Sequence, residues 1–188
     1  NREVTLEDIY YLLTGISAPL YEDILPEYIQ RQSRYLNEKG WTDWTKDIRV
    51  ESLQINTEEV RGNLPHNPDQ YKTQKKTLLP SATFGGTFSR RSKETLKESS
   101  GYITIDIDHL SDSPFTLEEV KDFIRQDTEI GWRLIYISPS GDGLKIICET
   151  SAVITDDESY KRVYESLYHY ISSTYGVEVD KGGKDICR

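Results

Sequence analysis

Tyr102-Ile103-Thr104-Ile105-Asp106-Ile107-Asp108 is the stretch on which the fold turns. Its apolar residues fall at every second position, so Ile103, Ile105 and Ile107 share one face of a strand and Tyr102, Thr104, Asp106 and Asp108 the other. Such a strand needs a layer to cover its isoleucines, and the residues that follow supply one. Thr116 and Glu119 stand at capping-box spacing and open a predicted helix over 116–126, with Leu117, Val120 and Ile124 as its apolar stripe. Trp132 to Ser138 reads as a second strand. Ser140-Gly141-Asp142-Gly143 then makes a tight turn into a third, Leu144 to Glu149, with Leu144, Ile146 and Cys148 inward. A long helix is predicted over 157–174, its stripe formed by Tyr160, Val163, Tyr164, Leu167 and Ile171, and Val177 to Asp180 open a fourth strand.

Strand-helix-strand-strand-helix-strand is the order of a split β-α-β unit. The expected fold class is therefore α+β: a ferredoxin/RRM-like β-α-β-β-α-β palm over about 101–188, with an N-terminal helical and mixed α/β lobe over 1–100 supporting it. In a sheet ordered 4-1-3-2, the end of the first strand lies beside the starts of the third and fourth. That topology brings Asp106 and Asp108 near Lys145 and Asp180. Alternation sends Ile103, Ile105, Ile107, Leu144, Ile146, Val177 and Val179 toward the helices, and Asp106, Asp108, Lys145, Glu178 and Asp180 to an uncovered face.

Four acids and one lysine on one face repel unless something neutralises them, and a divalent cation does so. Mg2+ or Mn2+ takes oxygen ligands, and Asp106, Asp108 and Asp180 offer three carboxylates, enough to hold two ions for phosphoryl or nucleotidyl transfer. Lys145 and the amides of the 140–143 turn form the complementary positive side for a triphosphate, since glycine lets a backbone amide approach phosphate without a Cβ in the way. His109 alternates to the opposite face and is assigned a turn-capping or exposed role. Two rival readings of the same acids are a metal-dependent nuclease and a structural domain with a solvated acidic face.

Upstream, Thr5-Leu6-Glu7-Asp8 has capping-box spacing before Ile9, Leu12 and Leu13, and a second helix is expected from Pro26 to Gly40. Trp41 and Trp44 are assigned to lobe packing. The polar stretch from Asp47 to Gln70, with turn markers at Asn63, Pro65, Asn67 and Pro68, receives no fold.

Composition bounds the class. The chain has 188 residues, 36% apolar and 29% charged, which suits one soluble domain. No apolar run is long enough to span a membrane, so a cytoplasmic setting with no membrane partner is expected. Two cysteines support neither a disulfide framework nor a zinc site. With no methionine and an end at Arg188 in mid-pattern, the chain is expected to be a fragment of a longer protein, truncated at the C-terminus. Net charge is −9, yet the segment from Tyr71 to Lys97 carries seven basic residues against Glu94, a local +6 suited to a phosphate backbone. Arg90, Arg91 and Lys93 are its candidates for contact with a nucleic-acid template.

A family resemblance follows from these motifs. Gly101 to Asp108, an apolar strand ending in Asp-x-Asp, resembles the first motif of the archaeo-eukaryotic primase (primase-polymerase) superfamily. Ser138-Pro139-Ser140-Gly141-Asp142-Gly143-Leu144-Lys145 is similar to the second motif, and Val179-Asp180 with Asp185 and Arg188 to the third. Leu79 to Phe88 resembles the segment that precedes them in the VirE N-terminal-type primase-like domain.

The resemblance implies Asp106, Asp108 and Asp180 as catalytic metal ligands, and Ser140, Gly141, Gly143, Lys145 and Arg188 as nucleotide contacts. It implies nucleoside triphosphates and a single-stranded DNA or RNA template as partners. It also implies a helicase-type ATPase domain in the full-length protein and a role in replicating a mobile element or phage. Lys145 stands where active primases carry histidine, which opens the alternative of a non-catalytic nucleotide- or nucleic-acid-binding domain of the same fold.

Overall fold

The computed structural model describes residues 56–79 and 81–187. The helices expected before residue 41, Trp41, Trp44 and Arg188 lie outside the described residues. The chain divides into two compact units, 1–80 and 81–188.

In the first unit, residues 56–63 are helical (α1), and a turn leads into α2, Pro68–Leu78. Asn67 caps α2 by accepting from the Gln70 amide, and Pro68 takes the first helical position, where its missing N–H is no loss. Asn63 and Gln74 join the two helices side chain to side chain at 2.7 Å. The end of the stretch left without a fold is thus helical, and its turn markers are a helix end and a helix cap. Periodicity concealed α2 because Tyr71 is its one buried residue.

The second unit holds two small antiparallel sheets and two of the helices, a mixed α/β arrangement. The first sheet is a hairpin of β1, Gly86–Phe88, and β2, Leu96–Ser99. It falls in the same unit as the larger sheet, whereas the sequence placed residues up to 100 in the supporting lobe. The larger sheet contains β3, Tyr102–Ile107, β4, Trp132–Ile137, and β5, Leu144–Glu149, in the order β3-β5-β4 and antiparallel throughout. Helix α3, Leu117–Gln126, connects β3 to β4, and α4, Asp157–Tyr175, follows β5. Thr116 and Glu119 close the expected capping box at the start of α3.

The expected fourth strand is reduced to one antiparallel bridge, Ile107 to Val179. On either side of it the Asp108 amide donates to Glu178 O at 3.1 Å and the Asp180 amide to Asp106 O at 2.8 Å. Pairing stops there because the Asp180 side chain accepts from the Gly182 amide and turns the chain into a 3-10 helix, Lys181–Lys184.

The core lies between the sheet and the helices. Ile103, Ile105, Ile107, Leu144 and Ile146 are fully buried against Val120, Ile124, Tyr160, Tyr164 and Ile171. Each such isoleucine contributes about 1.5–3 kcal/mol of transfer free energy. A bulge between Trp132 and Leu134 puts Trp132 and Ile135 on this core side. The opposite, acid-bearing face is not open along its length. Leu134 and Ile147, cross-strand partners on it, are buried, and Asp106 is only 7% exposed. The signal was present in Leu144 to Cys148, where apolar residues occupy both faces of the strand except at Lys145.

Candidate metal centre

The register sets the site. Asp106 is the cross-strand partner of Lys145, and Lys145 that of Tyr136, so Tyr136, Lys145 and Asp106 form one row across β4, β5 and β3. Asp180 continues that row on the far side of β3 through its amide bond to Asp106 O. Asp108 stands one pleat further along. Asp106, Asp108 and Asp180 each place a carboxylate oxygen within 4.8 Å of the others'.

The electrostatics are those of a crowded acid cluster. Lys145 Nζ is ion-paired with Asp106 Oδ2, both side chains mostly withdrawn from water. The other oxygen, Asp106 Oδ1, is buried with no hydrogen-bond partner. Burial pushes the Asp108 carboxyl above the ordinary carboxylate range, the neighbouring Asp106 charge and then Asp180 adding to the shift and Lys145 opposing it. The Tyr136 phenol is pushed up by burial and by the Asp106 charge. Three carboxylates facing one ammonium, with an orphaned buried oxygen among them, could hold a metal ion.

The backbone of the cluster is pinned from several directions. Tyr164 OH donates to Asp180 O, fixing the bridge against α4. At Gly143 a Cβ would lie 2.4 Å from Ile107 O and 3.4 Å from Asp108 Oδ1, so glycine is required where β5 begins beside the end of β3. Ser138 is buried and its hydroxyl meets that of Ser140 at 2.8 Å.

The 140–143 turn is more self-contained than its sequence implied. The Gly141 amide donates to Ser138 O at 2.9 Å and the Asp142 amide to Ser140 Oγ at 3.4 Å. Asp142 turns away to bind Ser111 through its amide at 2.6 Å and its hydroxyl at 2.9 Å. Of the turn and strand candidates, Gly143 and Lys145 stand against the acids, whereas the Gly141 and Asp142 amides and the Ser140 hydroxyl are engaged within the turn.

The basic candidates are placed elsewhere. Arg91 Nε donates to Cys187 O at 3.3 Å, and Lys93 pairs with Asp157, which opens α4, at 3.1 Å. That carboxylate holds the Lys93 ammonium above its ordinary range. Arg90 is exposed in the β1–β2 connection. His109 is exposed, in the left-handed region at φ 56°, where it leads into the 3-10 turn Leu110–Asp112 without a side-chain capping bond.

Two features escaped the sequence reading. Tyr136 joins the row only because the β4 bulge resets the alternation. A cleft of about 470 Å³ borders the cluster, lined by Asp108, His109, Tyr168, Ser172, Glu178 and Asp180 among others. It draws on three separated segments that no single motif connects.

No described helix is long and apolar enough to cross a membrane. No curated protein and no solved structure matches the chain. Residues 73–188 match the family model described as BT4734-like, N-terminal domain, a stretch that contains all three aspartates, Lys145 and both sheets, and the chain belongs to that family.

Proposed function

We propose that residues 101–188 form a ferredoxin-like palm of primase-polymerase type, a metal-dependent nucleotidyltransferase acting on single-stranded nucleic acid. The observation that carries this reading is the convergence of Asp106, Asp108 and Asp180 oxygens within 4.8 Å, beside Lys145 and the Ser138–Gly143 turn. A β-α-β-β-α order with the bridge at Val179 supports the palm, and the motif order along the chain supports the reaction class.

Asp106, Asp108 and Asp180 would hold Mg2+ or Mn2+, which would supply charge neutralisation for the triphosphate and acidify an attacking hydroxyl. Asp106 and Asp108, on one strand, fix the position of the reacting phosphate. Asp180, pinned by Asp106 O and Gly182 N, closes the carboxylate set from the other side of β3. Lys145 and Ser140 orient the phosphate tail on the β5 side.

The Lys145–Asp106 ion pair favours a second reading, a domain that binds nucleotide without synthesis, because an ammonium rather than an imidazole occupies the carboxylate. Extension of a labelled primer on a single-stranded template with Mn2+ separates the readings. Synthesis that falls at least about 100-fold in Asp108→Asn supports the transferase, in line with the loss of a catalytic electrostatic group. Nucleotide binding without product supports the binding domain, and shortening of the oligonucleotide supports a nuclease.

A further inference from the structure

Lys145 is the cation that the acid row already possesses. It lies directly across from Asp106 in the β3–β5 register and is ion-paired with Oδ2, while its side chain is only 21% exposed. Asp106 is 7% exposed, so its charge relies on that ammonium for compensation. A divalent ion approaching Asp106 meets a positive charge at contact distance. An ion on the orphaned Oδ1 shares one carboxylate with the ammonium on Oδ2, so the two positive charges repel at close range, and a largely buried ammonium gives way only toward another anion. On the same strand end stand Gly143 and the Ser138–Ser140 hydroxyl pair, the site assigned above to the phosphate tail.

We propose that Lys145 is a gate that couples metal entry to polyphosphate binding: in the empty site it neutralises Asp106, and it yields that carboxylate to a divalent ion only when a ligand's phosphates take over its ammonium. This rests on the metal-site reading above. It names the ligand class as well, a di- or triphosphate with at least one anionic oxygen to spare beyond those shared with the ion. A nucleoside or a monophosphate fully engaged by the metal leaves the lysine on Asp106. By linkage, the ion and the polyphosphate each raise the other's affinity by the same factor.

The test is a Mn2+ titration of the 188-residue chain, with and without inorganic tripolyphosphate, on the wild type, Lys145→Met, Lys181→Met and Asp106→Ala. Lys145→Met should bind Mn2+ alone about tenfold more tightly than the wild type, a coupling of ordinary allosteric size. Its tripolyphosphate affinity should fall, and the enhancement of Mn2+ binding by tripolyphosphate should shrink. Lys181→Met, which removes a charge adjacent to Asp180 but outside the pair, should change Mn2+ affinity less than about twofold, as for an exposed charge. Equal gains in the two lysine variants mean a general charge effect and overturn the gate. Unchanged or weaker Mn2+ binding in Lys145→Met overturns it too, while binding lost in Asp106→Ala leaves the metal site standing. No Mn2+ binding in any protein removes the metal site and the gate together.

Because Lys145→Met leaves Asp106 uncompensated and can fail to fold, the Lys145 ammonium is also followed by NMR in the wild type. Its resonance should move with Mg2+ plus tripolyphosphate and stay in place with Mg2+ alone. Equal movement with Mg2+ alone contradicts the gate.

Discussion

Gly143 shows how a single residue holds the site together. Its Cα sits where any side chain would press on Ile107 O, the last carbonyl of β3, and approach Asp108. Gly143→Ala is expected to destabilise the fold by about 1–3 kcal/mol, as overpacking does at a backbone contact, and to weaken Mn2+ binding by displacing Asp108. Chemical denaturation and metal titration of the same sample check both effects. A variant with full stability and normal metal affinity would mean that the strand ends yield without moving the carboxylate. At this scale the sequence was informative about charge and less so about reach: Asp106, Asp108, Asp180 and Lys145 were each readable from alternation. Asp142 was not, because its tie to Ser111 spans a loop with no period. Arg91 and Lys93 looked like a free basic stripe, but their partners Cys187 and Asp157 are distant in sequence and join them only in the fold.

The regular elements were legible because each carries a local code that tertiary contacts reinforce. β3, α3, β4, β5 and α4 lie where alternation, capping and stripe spacing put them, within one residue at each end. The elements that escaped lack such a code. α2 is polar around its circumference, β1 and β2 have three and four residues with a register shift, and the fourth strand survives as one bridge. Asp127 at the end of α3 has a testable role in joining elements. Tyr170 and Tyr175 of α4 donate to its Oδ2, and the Glu129 amide to Oδ1. Burial works to raise its pKa, but the hydrogen bonds from Tyr175, Glu129 and Tyr170 outweigh it and hold the carboxyl below the ordinary range. A depressed folded-state pKa means stabilisation that is complete above the unfolded value of about 4 and fades as pH falls through the folded one. Asp127→Ala should therefore melt below the wild type at pH 7, and the gap should close in strong acid. Thermal melts from pH 7 down to pH 2 check this; a gap that persists unchanged at the lowest pH assigns the effect to packing.

At the scale of the whole molecule, the chain is 36% apolar with net charge −9, and the acid row lies in the second of its two units. There a three-stranded sheet lays isoleucines against two helices and turns its acids to the other side. The family match covers residues 73–188, the stretch that includes this sheet and every residue of the acid row. The bulk charge says nothing of that arrangement: the clustered aspartates are three acids among 32, brought together by register and not by number. The burial of Leu134 and Ile147 on the acid-bearing face was not foreseen, since strand alternation states which residues share a face but not what covers it. The central claim is that Asp106, Asp108 and Asp180 act as one cation centre. It is tested most directly by calorimetric titration of Mn2+ in the presence of a nucleoside triphosphate, comparing the wild type with Asp106→Asn, Asp108→Asn and Asp180→Asn. Saturable binding that weakens at least about tenfold in each isosteric variant, the size of effect expected on losing a hard-cation ligand, is the predicted result. Binding that is equally strong in all four proteins would contradict the claim.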